Sequence, residues 1–214
     1  MNDTAQLDLA AMLCSRLCHD LLSPVGALTN GLELLADERD PEMRQRCFEL
    51  LEQSARTSAD KLKFFRLAFG AAGGFGESVP VDEARSVIEA LVGDSKRVEL
   101  NWALSADRLP KGAVKVLLNF AQIGLDALVR GGTLDVGAES RGGASEIVVR
   151  AAGPRIAFDE TIGRALENRL NPGELSSRTA AAHMLALVAK QAGGGLQYVL
   201  SDEALVLGAV LPEG

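Results

Sequence analysis

Positive charge is scarce in this 214-residue chain: 22 lysines and arginines stand against 29 aspartates and glutamates, a net charge of −7. Neutralising a phosphate backbone needs clustered cations. Those present are scattered, which argues against a nucleic-acid face and against docking on an anionic membrane surface. Long apolar runs are missing as well. None approaches the ~20 residues of a spanning helix, and the N-terminal MNDTAQLD has neither the basic nor the apolar stretch of a secretion signal, so the expected location is cytoplasmic. Cysteine is limited to Cys14, Cys18 and Cys47, an odd number on helical patterns, and reduced, packed thiols are expected. The run C-x-x-x-C-H sets Cys14 and Cys18 one helical turn apart, which makes a metal site conceivable, but a fourth ligand is missing and packed thiols are the favoured reading. Histidine is equally rare, at His19 and His183 only.

The residues that are present are 47% hydrophobic and 24% charged, a globular composition of one large domain or two small ones. From about residue 3 to 36, apolar or small residues recur at Ala11, Cys14, Cys18, Leu21, Val25, Leu28, Leu32 and Leu35. Steps of three and four predict a coiled-coil-like seam on one long helix. In DERDP, Asp40 is a candidate N-cap and Pro41 suits the first helical position. A second helix follows, with a stripe through Met43, Cys47, Leu50, Leu51, Ala55, Leu62, Phe65 and Phe69, and stops at GAAGGFG (70 to 76). That glycine run follows a helix and lacks G-K-[ST], so it reads as a linker and not as a phosphate loop. One hairpin has too little surface to cover both stripes. A homodimer closing a four-helix bundle covers them; packing of the hairpin on the rest of its own chain is the alternative.

Beyond the linker the pattern mixes helices (about 81 to 92, 111 to 129, 159 to 168 and 176 to 191) with the strands VELNWAL, TLDVGAE, SEIVVRAA, LQYVL and ALVLGAVL. This order predicts a sheet covered on one face by helices, so the fold class is α+β: a helical hairpin, residues 1–72, followed by an α/β sandwich, residues 77–214.

The stretch LCHDLLSP places His19 beside Asp20 and five residues before Pro24. At about 100° per residue, His19 falls on the flank of the seam with Ser23 nearly in line, among the small residues Ser15, Gly26 and Ala27. It should therefore face solvent. Pro24 removes the backbone bond to the Asp20 carbonyl and crowds it, predicting a bend within a turn of His19. An imidazole is mostly neutral at cytoplasmic pH and keeps one ring nitrogen for attack on phosphorus. Asp20 could hold the proton of the other nitrogen, although adjacent helical residues do not face each other; Ser23 is better placed to reach a phosphoryl group or a water on it. On position alone, an ordinary surface histidine beside an ordinary surface acid is the favoured reading.

H-D-L-L-S-P resembles the phosphoacceptor box of histidine kinases, matching at His19, Asp20, Ser23 and Pro24. In those proteins the box lies on the first helix of a dimeric bundle followed by an ATP-binding sandwich of the GHKL type. The helix from Val114 to Thr133 resembles the kinase N-box, with its leading asparagine at Asn119 and closing Gly131, Gly132 and Thr133. The magnesium-holding asparagine, however, falls at Ile123, and a hard cation wants oxygen. Where D-x-G-x-G should read adenine the chain has AAGPR, with Ala151 for the aspartate and Arg155 for the second glycine. Thr179, Ala181 and His183 replace the glycines that admit phosphates to backbone N–H groups. An intact histidine box with a degenerate GHKL-like domain resembles the ChpT-type histidine phosphotransferases of alphaproteobacterial relays. That resemblance implies a homodimer that carries a phosphoryl group on His19 between receiver aspartates, with one receiver on a hybrid histidine kinase and others on cell-cycle regulators of the CtrA kind. It implies no cofactor on this chain, since magnesium belongs to the receiver. An ATP-dependent histidine kinase with an atypical site and a non-enzymatic docking module for response regulators are the alternatives. His183 reads as packing or surface; Arg155 and Arg178 could mimic nucleotide contacts or touch a partner.

Overall fold

The computed structural model describes residues 3–70, 76–93, 97–171 and 173–213. Most of the glycine-rich linker, 71 to 75, and the boundary expected at 72 therefore lie outside the described residues, as does Pro172 of the loop before the last helix. Two long helices open the chain, α1 (Asp3–Asp37) and α2 (Pro41–Ala68). The Asp40 carboxylate accepts from the Glu42 N–H at 3.3 Å, capping α2 with Pro41 at its start. Arg44 closes the turn by donating to the carbonyls of Leu35 at 3.2 Å and Glu38 at 2.8 Å, groups at the end of α1 that no helical N–H can reach.

The single seam expected on α1 divides in two. Pro24 and Gly31 are buried and Leu21, Leu28 and Leu35 half-buried on the side toward α2, whereas Ala11, Cys14, Cys18, Val25 and Leu32 are exposed. At about 100° per residue these groups lie roughly a quarter-turn apart, because steps of three and four drift around a straight helix. The helices approach closely at Gly31, where a Cβ would stand 2.9 Å from a methyl of Leu51. Cys47 is buried, but Cys14 and Cys18 are exposed within one chain, against the expectation of packed thiols.

The second half contains β1 (Ser78–Pro80), α3 (Val81–Gly93), β2 (Val98–Leu104), β3 (Arg108–Pro110), α4 (Lys111–Ala127), β4 (Gly132–Arg141), β5 (Ala144–Ala152), α5 (Glu160–Leu166), α6 (Ala180–Gln191), β6 (Gly195–Leu200) and β7 (Ala204–Pro212). Five strands form one sheet in the order β2-β4-β5-β7-β6. β2 and β4 are parallel, joined through α4, and the other pairs are antiparallel. Alternation fixes the faces: Ile147, Val149 and Ala151 of β5 are buried under the helices, and Glu146, Val148 and Arg150 face out. Gly132 starts β4 at φ 141° with the Ala152 carbonyl where a side chain would begin, so backbone conformation and close strand approach both require glycine there. β1 and β3 form a separate antiparallel pair that the sequence reading missed, and α6 begins at Ala180, after a turn, and not at 176.

One hydrophobic core joins both halves. Phe64, Phe65, Leu67 and Ala68 at the end of α2 belong to the same cluster as Leu117, Phe120 and Leu185, and Leu17 and Leu21 of α1 pack against it. Phe65 and Phe69 stack at 5.6 Å, and Phe64 meets Phe65 edge-on at the same separation. Each such side chain contributes about 1.5–3 kcal/mol when withdrawn from water, so the base of the hairpin is rooted in the α/β half. Packing on its own chain, the alternative to a dimer, holds for this base alone; higher up, the outer stripe stays open. No helix among the described residues is long and apolar enough to cross a membrane.

Candidate phosphoacceptor site

Leu17 and Leu21 anchor α1 on the core and leave the intervening His19 on the far side. Its side chain is 86% exposed. Nδ1 lies 3.1 Å from Oδ1 of Asp20, and Nε2 has no partner among the described residues. A carboxylate can only accept, so this contact places the proton on Nδ1 and leaves the Nε2 lone pair open to solvent. The two adjacent side chains meet on a helix, α1, that continues through Pro24. The other oxygen of Asp20 faces Nε of Arg16, one turn back, at 3.7 Å, and the same guanidinium reaches Asp126 at the end of α4, at 3.8 Å.

Pro24 is buried. The carbonyl of Asp20, which a residue other than proline at 24 would satisfy through its N–H, instead accepts from Nζ of Lys61 on α2 at 2.9 Å. Ser23 is exposed a turn beyond His19 and has no hydrogen-bond partner among the described residues. Of the four residues singled out, the structure brings His19 and Asp20 together, leaves Ser23 open beside them and uses Pro24 at the hairpin interface. Arg16 and Lys61 were missed. Arg16 had a signal, the i,i+4 spacing to Asp20; Lys61 is 41 residues away and had none.

Between α1 and the α/β half opens a cleft of about 350 Å³ lined by His19 itself with Arg16, Asp20, Ile123, Asp126 and Arg178 among others. The cleft walls withdraw water from Asp126 and push its carboxyl above the usual range, against a hydrogen bond from Gln122 and the charge of Arg16. With 60% of that side chain still exposed, the consequence for stability is small. Opposite, Arg178 pairs with Asp159 at 3.3 Å. Hydrogen bonds from Thr161, side chain and backbone, hold the Asp159 carboxyl below its ordinary value, with Arg178 adding to them.

The GHKL fold is associated with nucleotide and magnesium, and the residues here do not fit either. Ile123 presents hydrocarbon to the cleft where a metal-holding oxygen is required. Ala151 is fully buried and packs 3.5 Å from the position a Cβ would take on Gly124, offering no acceptor for adenine. Asn119 is buried and donates to the carbonyls of Lys115 at 2.8 Å and Ala68 at 3.5 Å, so its amide is occupied in structure. Among the described residues there is no group of three His, Cys, Asp or Glu able to hold a metal ion. His183 is half-buried, and its Nδ1 is sealed from solvent without a partner among the described residues.

A helical hairpin bearing an exposed, carboxylate-oriented histidine, set on a histidine-kinase-like α/β half without the nucleotide ligands, defines the phosphotransferase class. Residues 81–204 match the histidine phosphotransferase C-terminal domain. The chain is 34% identical to the protein phosphotransferase ChpT of Brucella abortus (strain 2308), over 95% of each. It superposes on a solved bacterial phosphotransferase with TM-score 0.82 and 32% identity, covering 95% of this chain and 96% of that one. The histidine kinase domain of the blue-light-activated kinase of Erythrobacter litoralis EL346 shares the fold alone, with TM-score 0.50, 10% identity, and 89% and 94% of the two chains covered. This chain belongs to the histidine phosphotransferase family.

Proposed function

We propose that His19 is the phosphoacceptor of a two-step relay. Nε2 attacks the phosphorus of a receiver's aspartyl phosphate. The new N–P bond forms as the P–O bond to the aspartate breaks, the receiver keeps a carboxylate, and the Nδ1 proton stays on the imidazole against Asp20. A second receiver's aspartate then takes the phosphoryl group by the reverse displacement. Ser23, exposed one turn on, is within the region a phosphoryl group or its water would occupy, and Pro24 shapes the helix beneath. The observation that carries this reading is the 86% exposed imidazole held by Asp20 at 3.1 Å on Nδ1 with Nε2 open.

The chain acts without nucleotide or metal of its own, with magnesium supplied in the receiver's acidic pocket. Ile123 and Ala151 support this over an ATP-dependent kinase, and the oriented histidine supports it over a docking module that carries no phosphate. The partners are response-regulator receivers, one on a hybrid kinase and others on cell-cycle regulators of the CtrA kind, and the setting is cytoplasmic. A second copy of the chain covers the open stripe of Ala11, Cys14, Cys18, Val25 and Leu32, closing a four-helix bundle. Incubation with a receiver bearing radiolabelled phosphoaspartate, beside a parallel incubation with labelled Mg-ATP, tests it: label arrives from the receiver and not from ATP. Label from ATP alone would establish the kinase instead.

A further inference from the structure

An α-helix gives the carbonyl of residue i the N–H of residue i+4. At position 24 that N–H does not exist, and the orphaned acceptor belongs to Asp20, the residue that orients His19. An acceptor on the packed side of a helix needs another donor. The nearest turn of α2 supplies a cation: Nζ of Lys61 lies 2.9 Å from the Asp20 carbonyl. A charged donor makes the stronger kind of hydrogen bond.

We propose that Lys61 is a positioning residue for His19, replacing from α2 the hydrogen bond that Pro24 removes from α1 and fixing the Asp20–Leu21 peptide that follows the His19–Asp20 pair. Fixing the carbonyl of Asp20 fixes the peptide plane after it, hence the direction of the Asp20 Cα–Cβ bond and the reach of its carboxylate to Nδ1 of His19. The phosphoacceptor is thereby tied to the packing of the two hairpin helices, because the donor and the orphaned carbonyl sit on different helices. In a helix without Pro24, the same bond would form within α1, indifferent to α2. The inference rests on the reading of His19 as phosphoacceptor.

The test is a double-mutant cycle in the full chain with Lys61→Met, Pro24→Ala and the pair, alongside Lys61→Arg. Two readouts are taken: the tautomer of His19 by nitrogen-15 NMR, and the initial rate of His19 phosphorylation by phosphoramidate and by a phosphorylated receiver. In Lys61→Met the Nδ1–H tautomer gives way to a mixture and both rates fall about fivefold, about 1 kcal/mol. Lys61→Arg retains the tautomer. Pro24→Ala restores the missing N–H, so adding Lys61→Met to it leaves rate and tautomer within about twofold of Pro24→Ala alone. An equal loss from Lys61→Met in both backgrounds, or wild-type tautomer and rates in Lys61→Met, overturns the proposal. The tautomer readout needs no phosphoryl transfer, so it judges Lys61 even where labelling shows that His19 is not the acceptor.

Discussion

The amide of Asn119, in the middle of α4, donates to the carbonyl of Ala68 at the end of α2, 3.5 Å away, and to that of Lys115 at 2.8 Å. An asparagine aligned with a nucleotide motif therefore fastens the hairpin to the α/β half. Removing it leaves the Ala68 carbonyl short of a donor and opens a small void. Asn119→Ala is expected to lower unfolding stability by about 1–3 kcal/mol, read by urea denaturation, while the folded fraction transfers phosphate at an unchanged rate.

His183 sets a pH dependence. Burial holds its pKa below the ordinary value of about 6.5, so the folded state resists a proton that the unfolded chain accepts. The stability from the neutral ring is present above pH about 6.5 and is lost as pH falls through the depressed folded value. His183→Leu removes that loss, giving a shallower decline in thermal unfolding as pH falls below about 6.5. Because the sealed Nδ1 has no partner among the described residues, the substitution is neutral or stabilising at pH 7. Unchanged labelling in this variant is expected, in keeping with a packing role.

Asp20→Asn keeps the shape of the carboxylate but offers Nδ1 a group that is acceptor on one side and donor on the other. His19 then populates both tautomers, and phosphoryl transfer falls about tenfold or more, the scale set by carboxylates that orient working imidazoles. Stability should fall by about 1 kcal/mol or less, since the Asp20 side chain is 32% exposed and its ion pair with Arg16 is long, at 3.7 Å. Initial rates with a phosphorylated receiver and thermal melts on the same preparations check both parts.

Leu32 is 59% exposed and Val25 47% in the single chain. A glutamate at either position puts charge into the bundle seam that a second copy would close. Leu32→Glu is expected to yield a monomer by sedimentation velocity, with Trp102 fluorescence, a reporter of the α/β half, left as in the wild type. A dimer of undiminished affinity would place the interface elsewhere.

The long elements were legible because apolar spacing over many residues determines them: both hairpin helices, their cap at Asp40, and the main strands, whose alternation survives as the two faces of the sheet. The three-residue pair β1 and β3 was not, since its strands are too short for alternation and owe their form to each other. The α1 seam was read as one stripe because steps of three and four drift around the helix, so residues that follow one another along it part onto two sides with different neighbours. At the site, the exposure of His19 follows from helical angles. Its contact with Asp20 does not, since adjacent helical residues do not ordinarily face each other, and Lys61 lay beyond any local pattern because only tertiary packing brings α2 beside the gap at Pro24.

The central claim is tested most directly by transfer between two purified receivers through this chain. A receiver charged with labelled phosphate is mixed with the wild-type protein, then with a second, uncharged receiver, and the series is repeated with His19→Ala. The account predicts an alkali-stable, acid-labile label on the wild-type chain that moves on to the second receiver, and none on a His19→Ala chain that melts at the same temperature. Label retained by His19→Ala would contradict it.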